Sequence, residues 1–302
     1  MEQREIGGLK VSVLGLGTSR LASLGAHGSL RDAARLVDAA ADLGVSFIDT
    51  ADTYGSTQCE RWIGELTQRR SQRFVVATKC GLPTVDLPRP LRALNQPAKK
   101  VLQRAGSEHY LDSPHVMRSI EGSLRRLRRE RIELYFIHQP PVGVEQMDDL
   151  FSILDDARTA GKIGTYGVCS PDPEIIRAAV NADRCAVVQT AVNPLLTNRL
   201  LAALESVSEP SRVEIVANNV LAEGLRPAVG GTADSQQAML NLSGRLAVLS
   251  RERGVSKAHL LIRHAATLSN VRVVLTGTSN LAHLAENAAA LALPVTPKDL
   301  LA

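Results

Sequence analysis

Eight times along this chain a short apolar run of strand-forming residues gives way to a longer segment with helical spacing of its apolar positions. That alternation limits the fold more than any other feature. After a short hairpin turning at Gly7 and Gly8, strands are predicted over residues 11–17, 47–49, 74–79, 134–138, 163–168, 187–189, 213–218 and 271–275. Helices are predicted over residues 29–43, 60–69, 113–129 and 144–160, and after each of the fifth and sixth strands. Two more follow the seventh strand, at 236–253 and 256–268, and the last covers 280–291. Repeated strand–helix units signal a parallel sheet with helical crossovers. Eight of them favour an α/β fold closed as a (β/α)8 TIM barrel over an open doubly wound sheet. The 302 residues suit one such barrel domain over residues 1–302. Aromatic residues make up only 3% of a chain that is 44% hydrophobic, so the core must be mostly Leu, Val, Ala and Ile.

An open dinucleotide-binding sheet has its own fingerprint, Gly-x-Gly-x-x-Gly opening a helix directly after a strand. Gly15 and Gly17 match the first two glycines, but Arg20 stands at the third position and the predicted helix begins later. The fingerprint fails.

The segment Phe47-Ile48-Asp49-Thr50-Ala51-Asp52-Thr53-Tyr54-Gly55 carries the chemistry. Its apolar strand ends in a carboxylate, Asp49, and a tyrosine follows on the outgoing loop. A phenol has a reference pKa of about 10, so it donates a proton usefully only where a nearby cation stabilises the phenolate. Two later strands end in Lys79 and His138. In an α/β barrel the C-terminal strand ends converge on one face, where such folds place their chemistry. With Asp, Lys and His at strand ends and Tyr one loop beyond, the chain resembles the aldo-keto reductases over nearly its whole length.

The resemblance implies an NAD(P)H-dependent reduction of an aldehyde or ketone, reversible toward alcohol oxidation. Tyr54 is then the general acid, Lys79 lowers its pKa, Asp49 holds Lys79 charged, and His138 orients the carbonyl oxygen. It also implies cofactor contacts. Gly17 and Thr18 would lie beneath the nicotinamide ribose. Cys169 and Ser170 stand where the family has Ser-Asn for the carboxamide, joined by Gln189, and Asp49 is a further cofactor contact. Asn219 and Leu221 belong to a segment resembling the pyrophosphate loop. Gly277, Thr278, Ser279, His283, Glu286 and Asn287 resemble the site for the adenosine 2′-phosphate and adenine, where hydroxyls and N–H groups at a helix N-terminus suit a phosphate. Relatives often carry Lys or Arg near Gly277 and His283; this chain does not, although Arg20 could compensate. NADPH is the expected cofactor, with NADH the alternative.

Residues 81–112 form a connection longer than a βα loop requires, with four prolines and a basic run. It is expected to arch over the active-site mouth as a lid, or to be a surface excursion with a small helix at 98–104. The arginine-rich stretch 125–131 is read as the solvated face of a helix over an apolar stripe, not as a nucleic-acid patch, although the chain carries net charge +4. Cys59, Cys80, Cys169 and Cys185 are scattered without metal-ligand spacing, so no metal is expected. Cys80 and Cys169 fall at strand ends and are read as packing residues that could line the pocket. The charged N-terminus shows no signal peptide and no apolar run is long enough to span a membrane, so a cytoplasmic protein acting on a small carbonyl compound is expected. Few aromatics near the mouth favour a polar or sugar-like substrate. The other function class is a non-catalytic, cofactor-binding regulatory or partner subunit on the same barrel.

Overall fold

The computed structural model describes residues 1–22, 28–68, 74–95, 97–98, 101, 111, 113–140, 144–182, 184–185, 187–207, 209–222 and 233–292. Strands β1 (Gln3–Ile6) and β2 (Leu9–Ser12) pair antiparallel. Eight parallel strands follow: β3 (Leu14–Gly17), β4 (Phe47–Asp49), β5 (Val75–Cys80), β6 (Ile132–His138), β7 (Ile163–Cys169), β8 (Val187–Ala191), β9 (Glu214–Asn218) and β10 (Val271–Thr276). They pair in chain order, and β10 closes the barrel on β3. The helices among the described residues are α1 (Leu30–Asp42), α2 (Gln58–Thr67), α3 (Ser113–Leu127), α4 (Val144–Thr159), α5 (Pro173–Asn181), α6 (Thr197–Glu205), α7 (Ala233–Arg253), α8 (Lys257–Thr267) and α9 (Leu281–Ala289). None of them is long and apolar enough to cross a membrane.

Local signals explain several boundaries. Ser29 and Asp32 form a reciprocal capping box at α1, Asp172 caps α5 with Pro173 in its first turn, and Ser256 caps α8. The expected first strand, 11–17, is split. Val11 pairs with Arg4 in the hairpin, whereas only Leu14 to Gly17 belong to the barrel. The hairpin plugs the end of the barrel opposite the strand C-termini. Ile6 and Val11 pack with the inward-facing Phe47, Leu134, Phe136, Val216 and Val273, and Arg4 donates to the carbonyls of Val271 and Ala266.

Two glycines are required by space. A Cβ on Gly15 would meet the Leu275 and Val273 side chains at 2.7 and 2.8 Å, so this residue keeps the barrel interior closed. One on Gly167 would stand 2.1 Å from the Val187 carbonyl oxygen and force β7 from β8. The outer core lies between the strands and the helical ring, with Ile48, Ile63, Ile120, Tyr135, Phe151 and Ile176 all buried.

The arginine stretch departs from its expected solvated face. Arg125 and Arg128 are exposed, but Arg126 turns inward onto the fully buried Glu60, and Arg129 bonds Glu133 and the Phe74 carbonyl. The apolar stripe of α3 is present, yet helix α2 and strand β6 place carboxylates within reach. Of the long connection, residues 81–95 are described, with a 3-10 turn at Arg89–Leu94; the small helix expected at 98–104 falls largely outside the described residues.

Candidate active site

Register brings the strand-end residues together. Asp49 pairs with Gly17 on one side and Ala77 on the other, Lys79 pairs with Phe136, His138 with Cys169, and Cys169 with Gln189. Side chains alternate between the two faces of a strand, so Ala77 and Lys79 point into the barrel while Thr78 and Cys80 point out. Lys79 is only 1% exposed. Its Nζ donates to both Asp49 carboxylate oxygens at 2.7 and 2.8 Å, to the Thr50 carbonyl at 2.8 Å, and to the Tyr54 hydroxyl at 3.3 Å. The ammonium also stands 4.9 Å from the centre of the Tyr54 ring. The Tyr54 and His138 rings meet edge-on, 6.5 Å apart.

Burial works against the Lys79 charge, but Asp49, with Tyr54 and Cys169 adding to it, raises the lysine pKa above its ordinary value. At Tyr54 the lysine acts in the expected direction but is outweighed. Burial pushes its pKa up to about 12; Lys79 pulls the other way, and Asp49 offsets part of that pull. The phenol therefore holds its proton firmly. Burial also lifts the Cys169 thiol to about 12, which leaves it protonated and unsuited to nucleophilic attack. Cys80 faces away from this centre, packed in the outer core, where burial raises its thiol pKa well above the ordinary value.

The residues expected around a cofactor form a band from β3 to β10. Gln189 donates through Nε2 to Asp49 at 2.9 Å, and its buried Oε1 has no partner among the described residues, an acceptor suited to an amide donor. Ser170 is buried and its Oγ accepts from the Asp172 amide, which leaves the hydroxyl proton to give elsewhere. Gly17 and Gly277 lie side by side, and a Cβ on either would stand 3.7 or 3.4 Å from its nearest neighbour, in ordinary contact. Thr18 is fully buried and its hydroxyl donates to the Asp49 carbonyl, tying β3 to β4. Asn219 adopts a left-handed backbone (φ 47°), and its carbonyl accepts from Asn193; Leu221 packs on the outer core. Thr278 is buried and receives the Asn280 amide, Asn280 caps α9, and Ser279 and His283 are exposed. Asn287 is buried, whereas Glu286 lies 3.4 Å from His259 of α8. An orphaned amide acceptor and paired glycines suit a nicotinamide cofactor.

The sequence reading missed the Thr50 carbonyl that completes the Lys79 cradle, and it missed a charged group behind Tyr54 made by Glu60, Arg61, Asp86 and Arg126. The adjacency of Thr50 to Asp49 was a usable signal. No local pattern marks Asp86, whose partners lie 25 and 40 residues away.

Known proteins share this arrangement of elements. The Bacillus halodurans aldo-keto reductase, solved in its holo form, superposes with a TM-score of 0.78 at 22% identity, covering 99% of this chain and 94% of that one. A Klebsiella pneumoniae aldo-keto reductase solved with NADPH superposes with a TM-score of 0.71 at 19% identity, covering 99% and 93%. Among curated sequences, the 6-dehydroglucose reductase of Novosphingobium aromaticivorans is 28% identical, covering 95% of this chain and 90% of its own length. The D-threo-aldose 1-dehydrogenase of a Pseudomonas species is 27% identical, covering 95% and 92%. The sequence profile of the aldo/keto reductase family matches residues 13–301. With that match across nearly its full length, the chain belongs to the aldo/keto reductase family.

Proposed function

We propose that this protein reduces an aldehyde or ketone to an alcohol, reversibly, with NADPH as the hydride source and NADH as the alternative. The observation that carries the reading is the buried Lys79–Asp49 pair with its ammonium on the Tyr54 hydroxyl. A buried ion pair is weak evidence for stability alone, because desolvation offsets most of the attraction. Here it charges the floor of a site that also holds a protonated phenol.

Tyr54 holds the proton at its hydroxyl and gives it to the carbonyl oxygen. A phenol near pKa 12 still serves, because the alkoxide that forms is a stronger base than the phenolate. Lys79 stabilises the phenolate left behind, and Asp49 keeps Lys79 charged. His138, edge-on to Tyr54, orients the carbonyl oxygen by a hydrogen bond. Gln189 and Ser170 hold the carboxamide, Gly17 and Gly277 leave room for backbone approach, and bound nicotinamide supplies the hydride. A polar, sugar-like carbonyl substrate is favoured by the scarcity of aromatic residues and by the two sugar-acting relatives.

The test is separate titration with NADPH and NADH, then turnover against a panel of aldoses, keto-sugars and simple aldehydes. Tyr54→Phe should lower kcat at least about 100-fold while cofactor affinity stays within a factor of two or so. Turnover that survives the substitution removes Tyr54 as the acid. Cofactor binding with no turnover on any substrate moves the weight to the regulatory-subunit reading.

A further inference from the structure

Directly after Tyr54 the backbone makes a left-handed run that side chains seldom tolerate. Gly55, Ser56 and Thr57 have φ of 56°, 50° and 69°. Glycine enters this region freely, but a β-branched threonine there is a genuine outlier, held only at an energetic cost. Strain of this kind persists only where the surroundings over-determine it. The turn's own contacts are backbone bonds: Ser56 N–H to the Thr53 carbonyl, Thr57 N–H to the Asp52 carbonyl, Gln58 N–H to the Gly55 carbonyl and Arg61 N–H to the Thr57 carbonyl. The Ser56 hydroxyl is buried without a partner among the described residues, and Thr57 makes no side-chain cap to α2.

The rest of the restraint comes from the segment after β5. Thr84 donates its hydroxyl to the Asp52 carbonyl at 3.0 Å. Asn95 receives the Leu87 amide at 2.9 Å and reaches the Ser56 carbonyl at 3.5 Å. Asp86 accepts the Thr57 hydroxyl at 3.3 Å and is itself held by Arg61 of α2 at 2.7 and 2.8 Å and by Arg126 of α3 at 3.4 Å. Arg126 is anchored in turn on Glu60 at 2.6 Å, and Glu60, with no exposure at all, takes the Thr78 hydroxyl at 2.7 Å. Thr78 is the residue before Lys79. One continuous set of bonds therefore runs from the strand that presents the ammonium, through two helices, to the turn that presents the phenol.

We propose that Asp86 is a positioning residue: residues 84–95 clamp the strained turn at 55–57, and through it hold the Tyr54 hydroxyl against Lys79. The inference rests on the reading of Tyr54 as the proton donor. It also changes what the long connection does, because its first half braces the acid's own loop from behind.

The experiment compares Asp86→Ala, Asp86→Asn and Asp86→Glu with the unaltered protein, alone and combined with Tyr54→Phe. Asp86→Ala should lower kcat for carbonyl reduction about 10- to 100-fold, the scale of a misplacement near 1 Å, with KM and NADPH affinity changed less than about threefold. Asp86→Glu, which keeps the charge, should recover a large part of kcat, and Asp86→Asn should lie between. In the cofactor-free protein, hydrogen exchange over residues 53–62 should speed up at least about tenfold in Asp86→Ala and stay unchanged over α8 and α9. In the Tyr54→Phe background Asp86→Ala should cost little further, since the group being positioned is gone. If Tyr54→Phe abolishes turnover while Asp86→Ala leaves kcat intact, the clamp is refuted and the acid assignment stands. Retained turnover in Tyr54→Phe refutes the acid assignment instead. A full additive loss in the double variant, or faster exchange across the whole chain, overturns positioning in favour of general destabilisation.

Discussion

Replacing Asp49 by Asn tests whether the Lys79 charge depends on its partner. Both side chains are almost completely buried, at 4% and 1% side-chain exposure, and the ammonium meets both carboxylate oxygens within 2.8 Å. The amide keeps Asp49's shape, and its oxygen still accepts from Gln189 Nε2 and Lys79, but the buried cation loses its countercharge and keeps neutral partners, among them the Thr50 carbonyl and the Tyr54 hydroxyl. Breaking a buried pair from one side typically costs about 3–5 kcal/mol, whereas replacing both charges by groups of similar volume is often neutral. Asp49→Asn should therefore lose about 3–5 kcal/mol in urea unfolding at pH 7, and Asp49→Asn with Lys79→Met should return to within about 1 kcal/mol of the unaltered protein. Neither variant should turn over substrate, so stability and activity part company in the double variant. The sign at high pH adds a check. Without Asp49 the lysine pKa falls, so the single variant's deficit should shrink as pH rises from 7 to 10 and Lys79 sheds its proton. A double variant no more stable than Asp49→Asn would refute the reasoning, because the cost would then come from the aspartate's other contacts.

Three other outcomes follow from the same geometry. His264, fully buried against Thr197, has its pKa lowered by burial from 6.5 to about 4. Its contribution is complete above pH 6.5 and is lost as pH falls toward 4, so His264→Gln should remove about 2 kcal/mol of the stability difference between pH 7.5 and pH 5 in denaturant titrations. Gly167→Ala should destabilise by about 3 kcal/mol or more, because its Cβ meets the Val187 carbonyl at 2.1 Å, while Gly244→Ala in α7, with nothing within 4 Å, should gain up to about 1 kcal/mol; thermal unfolding of both reads the two signs. Gln189→Leu removes the buried acceptor and the bond to Asp49, and should weaken NADPH binding about tenfold by fluorescence titration, against no change if the Oε1 faces no ligand group.

Much of this was legible along the chain because it is local. Short apolar runs and helical spacings marked the strands and most of the helices, and Ser29, Asp172 and Ser256 mark helix starts by hydrogen bonds that span three residues or fewer. Asp49, Lys79 and His138 were recognisable because each stands at or one residue before the end of an apolar strand, and parallel closure must gather such ends on one face. The division of residues 11–17 between hairpin and barrel was not legible, since an apolar strand pattern is the same whichever neighbour it pairs with. Nor was the inward turn of Arg126 and Arg129, because a helix face that reads as solvated becomes buried once carboxylates on α2 and β6 are packed against it.

The amino-acid sequence by itself determined the order of strands and helices, the eightfold closure and the residue types at the barrel's open end, all properties of short stretches of chain. Only the tertiary structure decided the electrostatic balance at Tyr54, where burial outweighs Lys79, and the bracing of its loop by Asp86. Both depend on what lies within a few ångströms in space, and desolvation and ion pairing act over that distance whatever the separation along the chain.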